Sequence, residues 1–429
     1  MTQLEIEVDG ALARRLDVAD ALAGLRDEFH LPLGQDGEPV VYLAGNSLGL
    51  QPKAVRGYID EALEDWAKYA VEGHTRARRP WLPYHELVTH PMARVMGAQP
   101  SEVVVMNTLT VNLHLMMVSF YRPTKERYRL LVEAGAFPSD QYAVASQARA
   151  HGWDPSDAVI ALSPRPGEEL LRPDDILARI ETEGAKLALV MLGNVNYRTG
   201  QAFDMRAITQ AAHRVGANVG FDLAHGAGNL PLELHDDGPD FAVWCTYKYL
   251  NSGPGGIAGC FVHERHATRT DLPRFEGWWG HNKATRFAMP EDFDPLPGAE
   301  GWQLSNPPIF QLAALRASLE LFDRAGTEAR WKKAQALTGY LESQLQRLPH
   351  GFCQVVTPRA ASARGSQLSL RIDGNARNAL PFLEARGVMA DFREPDILRV
   401  APAPLYTRFE DVHRFVKELH AFADTRAQR

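Results

Sequence analysis

Short apolar runs alternate with helical patterns through the middle of this chain, and this alternation restricts the fold more than any other feature. The runs occupy residues 102–106, 128–132, 187–192, 218–222, 240–246 and 256–262. Helical patterns follow several of them, at 111–117, 139–150 and 205–215, with Ser139 placed to cap the second helix. Strands that are apolar on both faces indicate a parallel or mixed sheet covered by helices on both sides. Ligands of such sheets bind at the carboxyl ends of the strands.

The pattern changes after about Asn306. Long helical patterns at 309–325 and 327–348 lead into short strands at 367–371 and 398–400, and an amphipathic helix follows at 409–423. With 429 residues, the chain is long enough for more than one core. We therefore predict a large α/β domain over residues 66–305 and a smaller α+β domain over residues 306–429. Residues 1–65 are expected to contribute to the small domain and to an interface.

Composition argues against several classes of partner. The net charge of −7 gives no electrostatic reason to expect nucleic acid or an anionic membrane. No run reaches the roughly 18 to 20 uncharged apolar residues of a membrane span, and the acidic first residues lack the apolar region of a signal peptide. Cys245, Cys260 and Cys353 are too scattered for a disulfide framework or a metal site. We expect a cytoplasmic protein without a bound metal.

Tyr247 and Lys248 follow an apolar run and precede a glycine-rich turn at residues 251–259. A lysine held at the end of a buried strand can become the neutral amine that attacks a carbonyl and forms a Schiff base. Taken alone, however, this context favours a surface lysine at the end of a strand.

Asp222 and His225 change that interpretation. Asp222 ends the preceding apolar run, 26 positions before Lys248, and His225 follows it closely. A carboxylate at such a place is removed from water, which costs free energy unless a cation pairs with it. The protonated ring nitrogen of a pyridine cofactor is such a cation. Taken singly, Asp222 could be a turn or helix-cap residue and His225 a core histidine. On successive strand ends, the three side chains together indicate pyridoxal 5'-phosphate.

The segment 107–110 joins an apolar strand to a helix, which is where a phosphate group can bind. Its backbone N–H groups and the Thr110 hydroxyl lie at the positive end of that helix, although a simple N-cap is also possible. Phe137, at the next strand end, could stack on the pyridine ring with Asp140 nearby, or could pack in the core. Tyr247 could bind the phosphate or transfer protons beside Lys248.

Six blocks of sequence carry a resemblance to a known family. They lie at residues 45–52, 221–225, 244–251, 277–281, 305–308 and 399–402, so the match runs nearly end to end. The chain resembles the kynureninases, pyridoxal-phosphate enzymes of the aspartate-aminotransferase-like fold type I. That fold implies a large domain with a mixed, mostly parallel seven-stranded sheet covered by helices, plus a smaller α+β C-terminal domain.

The resemblance implies a homodimer that hydrolyses the Cβ–Cγ bond of L-kynurenine or 3-hydroxy-L-kynurenine, giving anthranilate or 3-hydroxyanthranilate and L-alanine. By that resemblance, Lys248, Tyr247 and Asp222 are catalytic. The implied cofactor-binding residues are Leu109, Thr110, Phe137, Asp140, Asp222, His225, Tyr247, Lys248, Trp278 and Asn306, the last two from across a dimer interface. The implied substrate-binding residues are Asn46, Ser47, His74, His281, Asn306 and Arg399.

Two of these implied roles concern specificity. Arg399 would hold the α-carboxylate of the substrate, which suits the planar guanidinium fork. His281 with Asn306 resembles the subgroup that prefers the 3-hydroxylated substrate, because both side chains can form a hydrogen bond with a phenolic group.

One position departs from the family pattern. The family usually has a serine or threonine that contacts the cofactor about six residues before the block at 199–201, and this chain has Gly193 there, followed by Asn194. Either the hydroxyl contact is lost or Asn194 replaces it. One such hydrogen bond is usually worth about 0.5–1.5 kcal/mol.

Three other functions compete with this one. Cysteine desulfurases and class V aminotransferases share the equivalents of Asp222, His225 and Lys248. A desulfurase needs a reactive cysteine on a mobile loop, whereas the cysteines here lie in predicted strands. A binding protein without cofactor would have no need of the lysine and aspartate, and both are present.

Overall fold

The computed structural model describes residues 3–372 and 376–427. Residues 1–2, 373–375 and 428–429, which belong to the predicted segments 1–65 and 306–429, lie outside the described residues. The described strands are β1 Val41–Tyr42, β2 Val103–Val105, β3 Arg129–Glu133, β4 Val159–Leu162, β5 Leu187–Gly193, β6 Asn218–Asp222, β7 Phe241–Cys245, β8 Ala258–Val262, β9 Cys353–Val355, β10 Leu368–Ile372, β11 Val388–Met389, β12 Asp391–Arg393 and β13 Ile397–Val400.

Helices cover the strands on both sides. The described α-helices are α1 Gln3–Val18, α2 Ala54–Tyr69, α3 Gly73–Arg76, α4 Glu86–Met96, α5 Leu109–Phe120, α6 Pro138–Ala150, α7 Pro155–Ala158, α8 Pro173–Glu183, α9 Met205–Arg214, α10 Leu234–Asp237, α11 Ile309–Ala325, α12 Thr327–Leu345, α13 Ala376–Glu384 and α14 Phe409–Ala427. Within the described ranges, no helix combines the length and the apolar character needed to cross a bilayer.

Seven strands form the central sheet in the order β2-β8-β7-β6-β5-β3-β4. Six of them run parallel to one another, and β8 alone is antiparallel to its two neighbours. The predicted mixed, mostly parallel sheet is therefore confirmed. The carboxyl ends of β3, β5, β6 and β7 lie at one edge, which is the edge that binds ligands in sheets of this kind.

The two faces of the sheet are buried in different cores. Along β7, Trp244 packs on one face and Phe241 on the other, and both are fully buried. Burying a phenylalanine side chain contributes about 1.5–3 kcal/mol. Gly259 of β8 has no side chain because the Trp244 indole lies over its backbone, where a Cβ would come within 2.2 Å of the ring. This packing explains why the strand sequences are apolar throughout instead of alternating.

A second, separate core lies around an antiparallel sheet of order β12-β13-β10-β9. Helices α12, α13 and α14 pack on it, and α1 packs against α14. The early strand β1 pairs in parallel with β11, so the first part of the chain joins this core. The domain boundaries at residues 65 and 305 stay a prediction.

Some local predictions were wrong. Ser139 does not cap α6: the cap position is Phe137, the helix begins at Pro138, and Ser139 lies in its first turn. Helix α12 ends at Leu345, three residues before the predicted end, as the chain turns ahead of Pro349. Strand β4 was not predicted, because it is a four-residue edge strand in which only Leu162 is buried.

Candidate active site

The cleft at the carboxyl edge of the central sheet collects most of the predicted cofactor residues. Strands β5, β6 and β7 run side by side, with Gly193 opposite Asp222 and Asp222 opposite Val243. The cleft is lined by Leu109, Thr110, Glu133, Ala136, Phe137, Ser139, Asp140, Gly193, Val195, Asn196, Tyr197, Asp222, Ala224, His225, Tyr247 and Lys248. Residues from five segments of the chain thus meet because parallel strands end at the same edge.

Lys248 contacts His225 across this cleft. The lysine Nζ lies 3.1 Å from the histidine Nε2. His225 is buried, and burial, followed by the positive charge of Lys248, holds its pKa well below the usual value. The imidazole is therefore neutral at ordinary pH, and a neutral ring nitrogen can accept a hydrogen bond from the amine. Lys248 is held in place without an opposing charge on its nearest neighbour.

Asp222, which is buried, and Asp140, which is partly buried, form a carboxyl pair beside the lysine. One oxygen of Asp222 accepts a hydrogen bond of 2.6 Å from the backbone N–H of Ala224. Burial raises the pKa of Asp222, and the positive charge of Lys248 opposes that rise. Burial and the neighbouring Asp222 carboxylate raise the pKa of Asp140 well above its usual value. Two adjacent carboxylates repel each other, so the pair resists carrying two negative charges at once.

Helix starts form the other end of the cleft. Helix α5 begins at Leu109, and no side chain caps its first turn, so its first backbone N–H groups are available to an anion. The Thr110 hydroxyl lies 2.7 Å from the hydroxyl of Ser139, which belongs to the first turn of α6. Two hydroxyls and a helix start are a suitable donor set for a phosphate group.

Aromatic side chains close part of the cleft. Phe137 is 49% exposed, and its ring meets the ring of Tyr197 edge to face at 5.4 Å between centroids. Tyr247 lies next to Lys248, and burial raises the pKa of its phenol above the usual value. The tyrosine therefore keeps its proton at ordinary pH and can donate it to a nearby oxygen.

The arrangement fits pyridoxal phosphate. Asp140 Oδ1 and His225 Nδ1 are buried and have no hydrogen-bond partner among the described residues, as expected for polar atoms that face an additional group. A buried carboxylate, an amine and a set of anion donors lie in one cleft, as the ring nitrogen, the aldehyde and the phosphate of this cofactor require.

A second cluster lies on the small domain beside the cleft. Arg399 is 1% exposed and donates from Nη1 to the carbonyl oxygen of Tyr197 at 2.7 Å. Its Nη2 donates to the Ser47 hydroxyl at 3.0 Å and pairs with Asp391. Asn46 is buried nearby and donates to Gln367 at 3.0 Å. The ring of Tyr197 faces the cleft while its carbonyl oxygen accepts from Arg399, so this residue connects the two clusters.

Besides Asn46, Ser47 and Arg399 of the second cluster, four predicted site residues lie outside this cleft. His74 contacts the carbonyl oxygen of Val71 at 2.9 Å and the ring of Trp81. The indole N–H of Trp278 donates to the carbonyl oxygen of Arg286 at 3.0 Å. His281 is buried, with its Nε2 2.9 Å from the Thr285 hydroxyl, and Asn306 is exposed. One chain alone therefore brings together eight of the ten predicted cofactor residues, but not this outer group.

Residues that sequence reasoning missed also line the cleft. Glu133 ends β3, and burial raises its pKa to about 7 while a 2.6 Å hydrogen bond from the Asn196 amide opposes that rise. Ser139 was assigned to a helix cap, yet it bonds to Thr110. Glu133 and Ser139 both follow the predicted strand at 128–132 within a few residues, and that position was the signal that could have identified them.

Gly193 and its neighbour Asn194 lie in different surroundings. Gly193 lines the cleft, whereas Asn194 is buried against the backbone of Gly226 and is not among the lining residues. A Cβ added to Gly193 would approach the carbonyl oxygen of Val195 to 3.4 Å, which is ordinary van der Waals contact. A serine therefore fits at this position.

Gly193→Ser is expected to strengthen cofactor binding. One added hydrogen bond contributes about 0.5–1.5 kcal/mol, which corresponds to roughly three- to tenfold in affinity. Titration of the cofactor-free protein with pyridoxal phosphate, followed by absorbance, measures the change. Gly193→Ala is the matched control because it adds the Cβ without the hydroxyl. Equal affinities of the serine and alanine variants would contradict the prediction.

The cysteines do not provide a reactive thiol. Cys245 and Cys260 are buried in β7 and β8, and Cys353 begins β9. Burial raises the pKa of all three thiols, to about 12 for Cys353, which disfavours the thiolate. The competing desulfurase function therefore has no support at these positions.

Two solved structures share this fold. The cysteine desulfurase CsdA from Escherichia coli is 18% identical with a TM-score of 0.75, covering 94% of this chain and 98% of that chain. A mutant of C-DES with glycine covalently linked to its PLP cofactor is 18% identical with a TM-score of 0.74, covering 88% and 96%. At this identity the likeness concerns the fold alone, and it confirms the predicted fold type I architecture.

Much higher identity is found among sequence relatives. Kynureninase from Myxococcus xanthus (strain DK1622) is 67% identical over 96% of this chain and 97% of the relative. Kynureninase from Koribacter versatilis (strain Ellin345) is 55% identical over 95% and 96%. The family model for the kynureninase C-terminal domain matches residues 331–419. Because these relatives are matched over nearly their whole length, this chain belongs to the kynureninase family.

Proposed function

We infer that this protein binds pyridoxal phosphate and hydrolyses the Cβ–Cγ bond of L-kynurenine, 3-hydroxy-L-kynurenine or both. The products are anthranilate or 3-hydroxyanthranilate, and L-alanine. The observation that carries this conclusion is the pairing of Lys248 with neutral His225 beside buried Asp222, in a chain 67% identical to a kynureninase. A separate arginine cluster next to that cleft supports an amino-acid substrate.

Each part of the cleft has a role toward the cofactor. We propose that Asp222 pairs with the ring nitrogen, that the start of α5 with Thr110 and Ser139 binds the phosphate, and that Phe137 covers one ring face. When bound, pyridoxal phosphate supplies an electron sink for the bonds at the substrate's α-carbon and β-carbon. Asp222 sustains that role by keeping a proton on the ring nitrogen.

Lys248 and Tyr247 would move the protons. Lys248 Nζ holds the cofactor in the resting enzyme and, once released by substrate, takes the proton from the α-carbon as a general base. Neutral His225, 3.1 Å from that nitrogen, accepts a hydrogen bond from it and fixes its direction. Tyr247 keeps its proton because burial raises its pKa, so it can donate to the oxygen of the side-chain carbonyl that water attacks.

Arg399 would bind the substrate's α-carboxylate together with Ser47, and Asn46 lies beside them. The guanidinium is almost fully buried, where an ion pair is strongest because little water competes. This cluster lies on the small domain, while Lys248 lies on the large one, so the substrate would bridge the two.

A direct assay tests the function. The purified protein loaded with pyridoxal phosphate is given each kynurenine, and fluorescent anthranilates and alanine are quantified. Equal molar amounts of the aromatic acid and L-alanine are expected, and kcat/KM for the two substrates gives their order. No cleavage of either compound, or amino transfer to a 2-oxo acid instead, would reject the conclusion.

We propose that the protein is a homodimer whose second subunit completes each site. His74, Trp278, His281 and Asn306 lie outside the cleft of their own chain. Exposed aromatic side chains accompany them, namely Trp66, Phe275, Phe287 and Phe310. Phe287 packs on Trp278 and Phe310 packs on Trp66, and exposed apolar side chains that lie together in this way are typical of interfaces. In the dimer, His281 and Asn306 would form hydrogen bonds with the phenol of the 3-hydroxylated substrate.

Mixing two inactive variants tests the shared site. One subunit carries Lys248→Ala, and the other carries Trp278→Ala with Asn306→Ala. After unfolding and refolding together, half of the dimers are hybrids with one intact site each, so about a quarter of wild-type activity is expected. Variants refolded separately and then combined without exchange are the control. Activity equal to that control would mean that each site belongs to one subunit.

We also propose a cytoplasmic location. The three cysteines are unpaired, and two of them are fully buried in strands, as is usual in a reducing compartment.

A further inference from the structure

Asp391 lies directly opposite Arg399 in the small sheet and is not part of any role assigned above. The two residues are cross-strand partners between β12 and β13. One oxygen of Asp391 accepts from both the Ser47 hydroxyl and Arg399 Nη2, and the other accepts from Arg393 Nη1 at 2.8 Å. The carboxylate is only 10% exposed. Three donors from three segments of the chain therefore converge on one buried carboxylate.

The contacts of Asp391 determine how Arg399 is oriented. Arg399 Nη1 donates to the Tyr197 carbonyl oxygen, and Nη2 donates to Ser47 and Asp391. The Nε of Arg399 is buried and has no hydrogen-bond partner among the described residues. Without Asp391, the guanidinium would lose its ion-pair partner and the Ser47 hydroxyl would lose its acceptor. A buried guanidinium is costly unless it is paired in this way.

We propose that Asp391 is a positioning residue for recognition of the substrate's α-carboxylate. It fixes the guanidinium plane of Arg399 and the hydroxyl of Ser47, the two groups proposed to bind the incoming carboxylate. This inference rests on the proposed function for the chemical class of the ligand, an α-amino acid.

Neutralising Asp391 should change carboxylate affinity in opposite directions, depending on whether total charge or positioning controls binding. Arg399 and Arg393 contribute two positive charges and Asp391 one negative charge, leaving one positive charge to match one carboxylate. If only the total charge mattered, neutralising Asp391 would strengthen carboxylate binding. If positioning matters, the same substitution weakens it.

The test uses Asp391→Asn in the protein loaded with pyridoxal phosphate. L-Alanine, which carries the carboxylate, and ethylamine, which lacks it, are titrated while the cofactor absorbance is recorded. We expect the affinity for L-alanine to fall about tenfold, as for the loss of a charge-assisted hydrogen bond, and the affinity for ethylamine to stay within about twofold. In turnover, KM for the kynurenines should rise by a similar factor with kcat nearly unchanged.

Asp396→Asn is the matched control, because it removes the same charge from the turn between β12 and β13. Asp396 pairs with Arg198 and Arg371 and does not contact Arg399. The Asp396→Asn variant should bind L-alanine and ethylamine with the same affinities as the wild type. Unchanged or stronger L-alanine binding by Asp391→Asn would overturn the proposal, as would an equal loss of ethylamine binding.

Two further measurements cover the cases in which the variant does not fold or the wild type does not cleave the kynurenines. If Asp391→Asn does not fold, as judged by its melting temperature and cofactor absorbance, Asp391→Glu is titrated with the same expectation, because it keeps the charge but displaces the carboxylate. If the wild type cleaves neither kynurenine, the proposed function fails, while the L-alanine titration still decides the role of Asp391.

Discussion

Lys248→Ala is expected to abolish turnover and to remove the visible absorbance of the cofactor attached to the lysine. The variant loses the amine that holds the cofactor and also loses the base that takes the α-proton. A general base alone contributes about 10²–10⁴-fold to a rate, so a loss of at least that size in kcat is expected. Absorbance spectra and assays for anthranilate measure the two effects independently.

The fold should survive this change. His225, the neighbour of Lys248, is neutral because burial lowers its pKa, so removing the amine leaves no unpaired buried charge on that ring. Lys332→Ala, on the exposed side of α12, is a suitable control for the loss of one lysine. A Lys248→Ala protein that keeps both the absorbance band and the turnover would disprove the assignment.

Asp222→Asn is expected to lower kcat by about 10²–10³-fold, the usual effect of removing one preorganised electrostatic partner. Asparagine has nearly the same shape and can still accept the hydrogen bond from the Ala224 N–H. It carries no negative charge, however, and so cannot keep the ring nitrogen protonated. Steady-state kinetics with saturating cofactor separate this effect from weaker cofactor binding.

Asp140→Asn is the informative comparison for this prediction. Asp140 is the neighbour whose pKa is raised well above its usual value by burial and by the charge of Asp222, so it gives up its proton less readily than Asp222 does. Its replacement should therefore cost less activity than that of Asp222. The reverse order of the two losses would make Asp140 the partner of the ring nitrogen.

The central sheet could be predicted from the sequence because its strands are buried on both faces. Strands β5, β6 and β7 were located to within about two residues, since their apolar runs are continuous. The short strands β1, β11 and β12, which were not predicted, have two or three residues each. Such strands form through pairing with distant segments, as β1 does with β11, and a local pattern cannot reveal them.

The site residues likewise divide into those that a local sequence pattern reveals and those that depend on distant contacts. Asp222, His225 and Lys248 could be found because each lies at or just beyond the end of a recognisable strand. Asn196 and Asp391 could not, because they matter through contacts with residues 63 and 344 positions away, namely Glu133 and Ser47. The outer group of His74, Trp278, His281 and Asn306 came from the resemblance alone, and its role stays a prediction.

The hydrogen bond between Ser47 and Arg399 joins residues 352 positions apart, whereas the strands of the cofactor cleft all end by Val262. Because the chain is synthesised from its N-terminus, this separation sets the order in which the two parts of the site are made. The residues that line the cleft are all synthesised before β13, so the carboxylate-binding cluster is the last part of the proposed site to be made. A chain that ends before β13 would lack Arg399 and could not hold an α-carboxylate in this way.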